Sequence, residues 1–252
     1  MKKFAKVIAC FMLVVLATLG FAGCSKTINL SSEDAIDFIG SQGNGLEMGY
    51  EYVFEYDDYF ESRKALFDND GNLLKAYAKR VDESRNIDVE VWMNGRYVCL
   101  KDNAEETPVK VKAKLDSIPE DSEYTDKLKM FSADTFAEIK EYGNNVWLSE
   151  FLSDELMYVD EHKFTKTTKG KKTILELKTH YVKHDDFTEE VETFDDTYTI
   201  VFKNKKITEY KLIESDEYEG DTRIYFNRIK AFSGKIQTPT YDNSFEDVSV
   251  EL

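Results

Sequence analysis

The chain has 252 residues and a formal net charge of −16, because 49 acidic side chains outnumber 33 basic ones. This charge argues against a nucleic-acid partner, since binding to a phosphate backbone needs a basic field. An apolar share of 42% and an aromatic share of 13% exclude a disordered chain, and only 3 Pro and 12 Gly exclude collagen-like and low-complexity classes.

The first 23 residues have the composition of a secretory signal. Lys2, Lys3 and Lys6 precede an almost unbroken apolar run at 7–21, and no acidic residue occurs before Glu33. As a helix this run spans about 22 Å, which is short of the roughly 30 Å hydrocarbon core of a bilayer. The pattern therefore predicts a cleaved signal peptide and not a permanent membrane span.

The end of this segment, Phe21-Ala22-Gly23-Cys24, resembles the lipobox of bacterial lipoproteins, although that family usually has Leu where Phe21 stands. In that family the Cys thiol receives a diacylglycerol and the chain is cut just before it. The resemblance implies removal of residues 1–23, a diacylglyceryl-Cys24, and attachment to the bacterial cell membrane outside the cytoplasm. The alternative is an ordinary signal peptide followed by an unmodified Cys24.

The predicted mature chain begins with a lipidated tether at 24–32. Ser31 and the acidic residues after it predict the start of a short helix that ends at Gly40 or Gly43. Residues 46–56 alternate between apolar or aromatic side chains and mostly acidic ones. This alternation predicts a strand with one dry and one wet face.

Turn signals divide the following region into strands. Residues 68–71 predict a β-turn, because an EF-hand would need oxygen ligands where Leu66 and Tyr77 stand. Asn94-Gly95 predicts a hairpin in which Val91 pairs with Val98. On this register one face of the hairpin carries Val89, Val91, Met93, Val98 and Leu100.

A helical region separates two sets of predicted strands. Helices are predicted at 123–130, from a cap near Ser132 to Gly143, and around Trp147 to Leu156. Turns at 169–170 and 204–205 then predict further hairpins. The predicted fold class is α+β, an antiparallel sheet with a few helices covering one face, in a single domain over 33–252.

The strands predicted at 198–213 and 222–232, followed by Ile236-Gln237-Thr238-Pro239, resemble the C-terminal half of the periplasmic carrier superfamily of LolA, LolB and LppX. This resemblance is one of strand pattern and covers most of the mature chain. It implies a strongly curved sheet, that is, an incomplete β-barrel whose concave face is covered by helices. It also implies an apolar cavity between the sheet and the helices, which in known members holds lipid or acyl chains.

Catalytic and metal chemistry find little support in the sequence. His180 and His184 would be about 13 Å apart on an extended strand, too far to share one metal ion. Cys99 is the only Cys left in the predicted mature chain after Cys24, so no intramolecular disulfide is expected, and an apolar strand predicts a buried thiol there. We expect no metal, no cofactor and no enzymatic activity.

The abundant aromatic residues are the remaining candidates for a functional site. They form either a filled core or the lining of a cavity, and the sequence leaves both alternatives open. The candidate ligand-binding residues lie on one predicted strand face and one predicted helix: Tyr50, Tyr52, Phe54, Tyr56, Trp147, Phe151 and Leu152. The predicted function is binding of a lipid or other apolar ligand, and the alternative is an envelope protein-interaction or sensory module on the same fold.

Overall fold

The computed structural model describes most of the predicted mature chain. The described residues are 25–104, 106–114, 117–118, 124–129, 133–142, 144–184, 191–218, 221–239 and 244–249. Cys24 and the predicted signal peptide lie outside them, and so does the predicted helix stop at Gly143. No helix in the described part of the chain is long and apolar enough to span a membrane.

Strands make up most of the described chain. Their bounds are β1 Lys26–Leu30, β2 Gly43–Asn44, β3 Gly49–Tyr56, β4 Tyr59–Phe67, β5 Leu73–Asp82, β6 Ile87–Met93, β7 Tyr97–Asp102, β8 Val109–Lys114, β9 Glu161–Lys169, β10 Lys172–His184, β11 Val191–Lys203, β12 Lys206–Tyr218, β13 Asp221–Ala231 and β14 Glu246–Asp247. The helices are α1 Ser32–Gly40, α2 Thr125–Lys129, α3 Ala133–Glu141 and α4 Asn145–Glu155, with a 3-10 turn at Glu83–Arg85. The α+β class predicted from the sequence is confirmed.

Two antiparallel meanders join into one open sheet. One runs from β3 to β8 and the other from β9 to β13, and they meet where β13 pairs with β3. At that junction Tyr225 pairs with Tyr56 and Ile229 pairs with Tyr52. The strands β1 and β14 end the sheet on its two sides, so the described sheet does not close on itself.

The helices α3 and α4 pack on one face of the sheet, which we call the inner face. Trp147 and Phe151 of α4 contact Tyr210 and Tyr198 of the sheet, with ring centroids 6.3 and 6.1 Å apart. On α3, the backbone carbonyl of Phe136 accepts a hydrogen bond of 2.8 Å from the Tyr50 hydroxyl. The helices therefore cover part of the aromatic surface that the alternating strands place on the inner face.

Helix α1 begins as its sequence predicts. The Ser31 hydroxyl accepts a hydrogen bond of 3.1 Å from the Asp34 amide, and the helix ends at Gly40. Ser31 thereby satisfies one of the amides that the first turn of a helix leaves unpaired.

Residues 26–30, which the sequence placed in the tether, form the edge strand β1. Ile28 pairs with Lys166 and Leu30 pairs with Phe164 of β9. The sequence predicts no strand for this segment. Backbone pairing with β9 draws it into the sheet, since an extended strand needs no apolar pattern of its own to complete a ladder.

The register of the hairpin at Asn94-Gly95 differs from the prediction by two residues. Val91 pairs with Leu100, where the sequence predicted Val98. Because side chains alternate with a period of two, this shift keeps every side chain on its predicted face. The predicted apolar face of Val89, Val91, Met93, Val98 and Leu100 is indeed buried.

The other predicted turns lie where the sequence placed them. Asp68 Oδ1 accepts hydrogen bonds from the amides of Asp70 and Asn72, as in an Asx-type turn. Gly170 has a φ of 58° in the turn between β9 and β10. Asn204 and Lys205 both have positive φ, as a two-residue turn between β11 and β12 requires.

The described hydrophobic core runs from Ala35 and Ile39 of α1 through the sheet to Ile229 of β13. A chain that begins at Ser25 contains every residue of this core, and we choose such a chain for binding measurements.

Candidate functional site

A half-enclosed cavity of about 400 Å³ lies between α4 and the middle of the inner face, and we call it the inner cavity. Its lining is mainly aromatic and consists of Tyr52, Tyr142, Trp147, Phe151, Tyr210, Leu212, Glu214, Asn227 and Ile229. Its volume falls within the range of about 300–1,000 Å³ that is usual for small-molecule sites.

A second, more open depression of about 380 Å³ adjoins it, and we call it the tyrosine groove. It is lined by Tyr52, Phe54, Tyr56, Tyr59 and Glu61. Tyr52 is common to the two linings. The cavity and the groove thus meet on β3.

The candidate residues from the sequence divide between these two sites and the core. Tyr52, Trp147 and Phe151 line the inner cavity, while Phe54 and Tyr56 line the groove with Tyr52. Tyr50 and Leu152 are different, because each is 0% exposed and lies in the hydrophobic core. Cys24, the candidate lipidation site, lies outside the described residues.

Simple periodicity explains why these side chains meet. Tyr52, Phe54 and Tyr56 are two residues apart on β3 and therefore share its inner face. Trp147 and Phe151 are four residues apart on α4 and therefore lie one above the other on the same side of the helix.

The aromatic rings around the inner cavity form one contact chain. Trp147 stacks on Phe151 with ring centroids 5.0 Å apart and nearly parallel planes. Tyr142 lies 5.2 Å from Trp147, and Tyr210 meets the same indole edge to face. Trp147 thus occupies the centre of the aromatic wall.

Glu214 of the cavity lining belongs to a group of four acidic side chains that interact electrostatically. We call this group the carboxylate cluster: Glu155, Asp196, Glu214 and Asp216. Asp196 and Glu214 are directly paired across β11 and β12, and Glu214 itself lines the cavity. Asp196 shares a strand face with Tyr198, whose hydroxyl donates a 3.1 Å hydrogen bond to Glu155 at the end of α4. The cluster therefore faces the helix side of the sheet.

Burial and mutual repulsion raise the pKa values of two members of this cluster, Asp196 and Glu214. Desolvation, followed by the charges of Glu214 and Glu155, raises the pKa of Asp196 from 3.8 to about 7. Burial and the charges of Glu155 and Asp216 also raise the pKa of Glu214. Asp196 therefore changes its protonation state near neutral pH.

The tyrosine groove carries a different kind of polar group. Glu61 accepts a hydrogen bond of 2.6 Å from the Tyr59 hydroxyl, and it also forms an ion pair with the Arg63 guanidinium. The guanidinium of Arg80 lies over the ring of Tyr59, 4.9 Å from its centroid. Positively charged side chains thus compensate the negative charge of Glu61 at this end of the inner face.

The histidines do not form a metal centre in the described part of the chain. His180 makes a 2.9 Å hydrogen bond with Asp195, which raises the pKa of the imidazole, and the side chain of His184 lies outside the described residues. Among the described residues, no group of three or more His, Cys, Asp or Glu side chains has the geometry of a metal site. Cys99 is buried, as predicted.

Sequence reasoning missed the carboxylate cluster, although a signal for it exists. Asp196 has the same strand parity as Tyr198 and Ile200, and Glu214 the same parity as Tyr210 and Leu212. Extending the dry faces of β11 and β12 by one step would have placed both acids on the inner face. Tyr142 and Asn227 carry no such signal, since only the tertiary packing brings them to the cavity.

No protein-family model, curated protein or solved structure matches this chain.

Proposed function

We propose that this protein is a lipoprotein, anchored through Cys24 to the outside of the cell membrane, that binds an apolar ligand in the inner cavity. The observation that carries the binding part is the aromatic cavity of about 400 Å³ between α4 and the sheet. Apolar walls with a few polar groups are typical of sites that bind small molecules.

We further propose that the sheet is strongly curved, as an incomplete β-barrel with its helices on the concave side. Support comes from the packing of α3 and α4 on one face, since helices cover a sheet best where it curls around them. A sheet of this many strands also accumulates twist. Small-angle scattering of the chain without residues 1–24 tests this shape, and a flat, extended particle would contradict it.

The anchor has a direct test. The sequence Phe21-Ala22-Gly23-Cys24 supports it, and two acyl chains on Cys24 would give stable attachment. Mass spectrometry of the N-terminal peptide from the native membrane fraction should detect a diacylglyceryl-Cys24. An unmodified Cys24 would contradict the anchor without bearing on the cavity.

Binding can be measured with uncharged ligands on the chain that lacks residues 1–24. Alkyl glucosides of eight and ten carbons, used below their micellar concentrations, should displace the neutral dye Nile red. Burial of each CH₂ contributes about 0.8 kcal/mol, so two further methylenes should strengthen binding roughly tenfold. Absence of displacement at any chain length would contradict the proposal.

Two variants on β13 locate the site. Ile229 lines the inner cavity and is buried, whereas Ile224 lies on the opposite strand face and is exposed. We expect Ile229→Trp to fill the cavity and weaken glucoside binding at least tenfold, while Ile224→Trp leaves it unchanged. Thermal unfolding of both variants, followed by circular dichroism, shows whether a loss of binding reflects a loss of fold. Equal effects of the two substitutions on binding would contradict the location.

The alternative, an interaction module without a ligand, has one observation in its favour. Met157 and Tyr158 follow α4 and are 68% and 77% exposed. Exposed apolar side chains that are adjacent suit a protein contact. If the protein acted only through such a contact, Met157→Ser with Tyr158→Ser would abolish binding to the partner protein. Ile229→Trp would then leave that binding unchanged.

A further inference from the structure

The carboxylate cluster is a concentration of negative charge on the inner face, supplied by three elements. Asp196 comes from β11, Glu214 and Asp216 come from β12, and Glu155 ends α4. Thr179 of β10 lies beside Asp196 in the strand register, and Tyr225 of β13 lies beside Glu214. The groups facing Asp196 are thus acids and hydroxyls.

Basic side chains do not neutralise this cluster within the described chain. None of the ion pairs among the described residues includes any of its four members. The one cation in register with it is Arg223, which pairs with Asp216 across β12 and β13 and is exposed. Its charge is therefore largely screened by water.

Three polar atoms of this region are buried without a hydrogen-bond partner among the described residues. They are Asp196 Oδ1, Asp216 Oδ1 and Thr179 Oγ1. Asp196 is 3% exposed, Asp216 6% and Thr179 4%, so bulk water does not compensate them. Buried polar atoms without partners are costly, and proteins retain few of them. The uncompensated carboxylates among them add to the negative potential beside Glu214, which lines the inner cavity, and that potential favours a ligand with positive charge.

The aromatic wall beside the cluster narrows the kind of cation. Trp147 has the most favourable ring for a cation–π contact, and Phe151 and Tyr210 adjoin it. A small metal ion prefers several oxygen ligands, and the described residues contain no such group. An organic ammonium ion is softer and accepts aromatic faces in place of water.

We infer that the inner cavity is selective for amphiphiles with an organic ammonium group. The ammonium lies between the aromatic wall at Trp147 and the carboxylate of Glu214, and the apolar chain lies against Leu212 and Ile229. This inference rests on the proposed function, because it assigns the ligand class of the same cavity. It explains both why the cavity is aromatic and why its polar end is acidic and unpaired.

A matched ligand series tests the inference on the chain that lacks residues 1–24. Octyltrimethylammonium, octyl glucoside and octanoate each contain a chain of eight carbons, which in octanoate includes the carboxyl carbon, and they differ in head-group charge. By calorimetry at pH 8 and low salt, we expect the ammonium ligand to bind at least tenfold more tightly than the other two. Tetramethylammonium, which lacks the tail, should bind at least tenfold more weakly than octyltrimethylammonium.

The pH dependence provides a second readout. Asp196, whose pKa burial raises to about 7, gains a proton between pH 8 and pH 5.5. This removes part of the negative charge that attracts the cation, so ammonium affinity should fall severalfold over this interval. The affinity for octyl glucoside has no such electrostatic cause and should change less than twofold. An ammonium affinity that stays constant over this interval would overturn the inference.

Two double variants with the same change of charge separate the cluster from the net charge of the protein. Asp196→Asn with Glu214→Gln should lower the ammonium-to-glucoside affinity ratio to below threefold. Asp195→Asn with Glu217→Gln changes exposed acids on the opposite face of the same strands and should keep the ratio. Equal loss in both double variants would overturn the inference.

The outcomes distinguish the two proposals. Equal binding of all three octyl ligands, or a preference for octanoate, would overturn the ammonium inference and leave the proposed function intact. Binding of tetramethylammonium as tight as that of octyltrimethylammonium would overturn the amphiphile part and indicate a small soluble cation. Failure of all three octyl ligands to bind would overturn the proposed function itself.

Discussion

The two halves of the inner face treat buried acids in opposite ways. In the meander from β3 to β8, Glu61 pairs with Arg63, Asp102 pairs with Lys127, and Asp82 accepts a hydrogen bond from Ser84. In the meander from β9 to β13, Asp196 and Asp216 keep carboxylate oxygens without a partner in the described chain.

The pKa directions reflect this contrast. The hydrogen bond from Ser84 holds the pKa of Asp82 below its ordinary value, whereas burial raises the pKa of Asp196. A paired buried acid stabilises the fold in its charged form, while an unpaired one destabilises it. The first meander therefore compensates the charge of its buried acids, whereas the second leaves much of the charge of Asp196 and Asp216 uncompensated.

The largest effect is expected in the paired half, at Glu61. Glu61→Gln removes the negative charge that faces the Arg63 guanidinium, and both side chains are nearly buried. Breaking such a pair should lower the free energy of unfolding by about 2–3 kcal/mol, as measured by urea denaturation. The exposed pair of Glu47 and Lys206 is the control, and Glu47→Gln should cost less than about 0.5 kcal/mol. Equal small effects would remove the basis of the comparison.

The second largest effect is a gain in stability, and it is expected at Asp196 in the meander from β9 to β13. The folded pKa of about 7 exceeds the ordinary 3.8, so the folded state binds the proton more tightly and stability from this group is lost as pH rises from about 4 to 7. Asp196→Asn should therefore raise the free energy of unfolding at pH 8 by roughly 1–2 kcal/mol, with little change at pH 4.

Asp82→Asn provides the matched comparison for Asp196→Asn. Since the folded pKa of Asp82 is lowered, its contribution is present at neutral pH and is lost as pH falls through the folded pKa. This variant should thus destabilise the protein at pH 8, where Asp196→Asn stabilises it. Denaturation curves at pH 4 and pH 8 for both variants decide the matter, and shifts of the same sign would refute the contrast.

The smallest effect concerns the difference between core and cavity on one strand. Tyr50 is buried and its hydroxyl donates to the Phe136 carbonyl, whereas Tyr52 lines both the cavity and the groove. Tyr50→Phe removes one buried hydrogen bond and should lower stability by about 1 kcal/mol. Binding of octyl glucoside should stay within twofold of the unchanged protein. A large loss of affinity would place Tyr50 in the binding site after all.

Local patterns predicted those parts of the fold that depend on neighbouring residues. The helix cap at Ser31, the turns at 68–71 and 204–205, and the alternating face of β3 follow from side-chain chemistry within a few residues. The hairpin at Asn94-Gly95 shows the limit of such patterns. Its faces were predicted correctly because parity survives a two-residue shift, but its register was not.

Long-range contacts could not be predicted in the same way. Nothing near Tyr56 or Tyr225 indicates that β3 and β13 pair and so join the two meanders. The same holds for the inner cavity, to which Trp147 comes from α4 and Glu214 from β12. The sequence therefore predicted aromatic residues of the inner cavity but not the acidic residues beside them.

The strand β1 has a consequence for how an anchored protein would sit on its membrane. Only Ser25 separates Cys24 from the first paired residue, Lys26. At about 3.5 Å per extended residue, the segment that connects the lipidated Cys24 to the sheet would be less than about 10 Å long. An anchor at Cys24 would thus hold one edge of the sheet close to the bilayer. The domain could change its tilt relative to the membrane surface but could not move far from it.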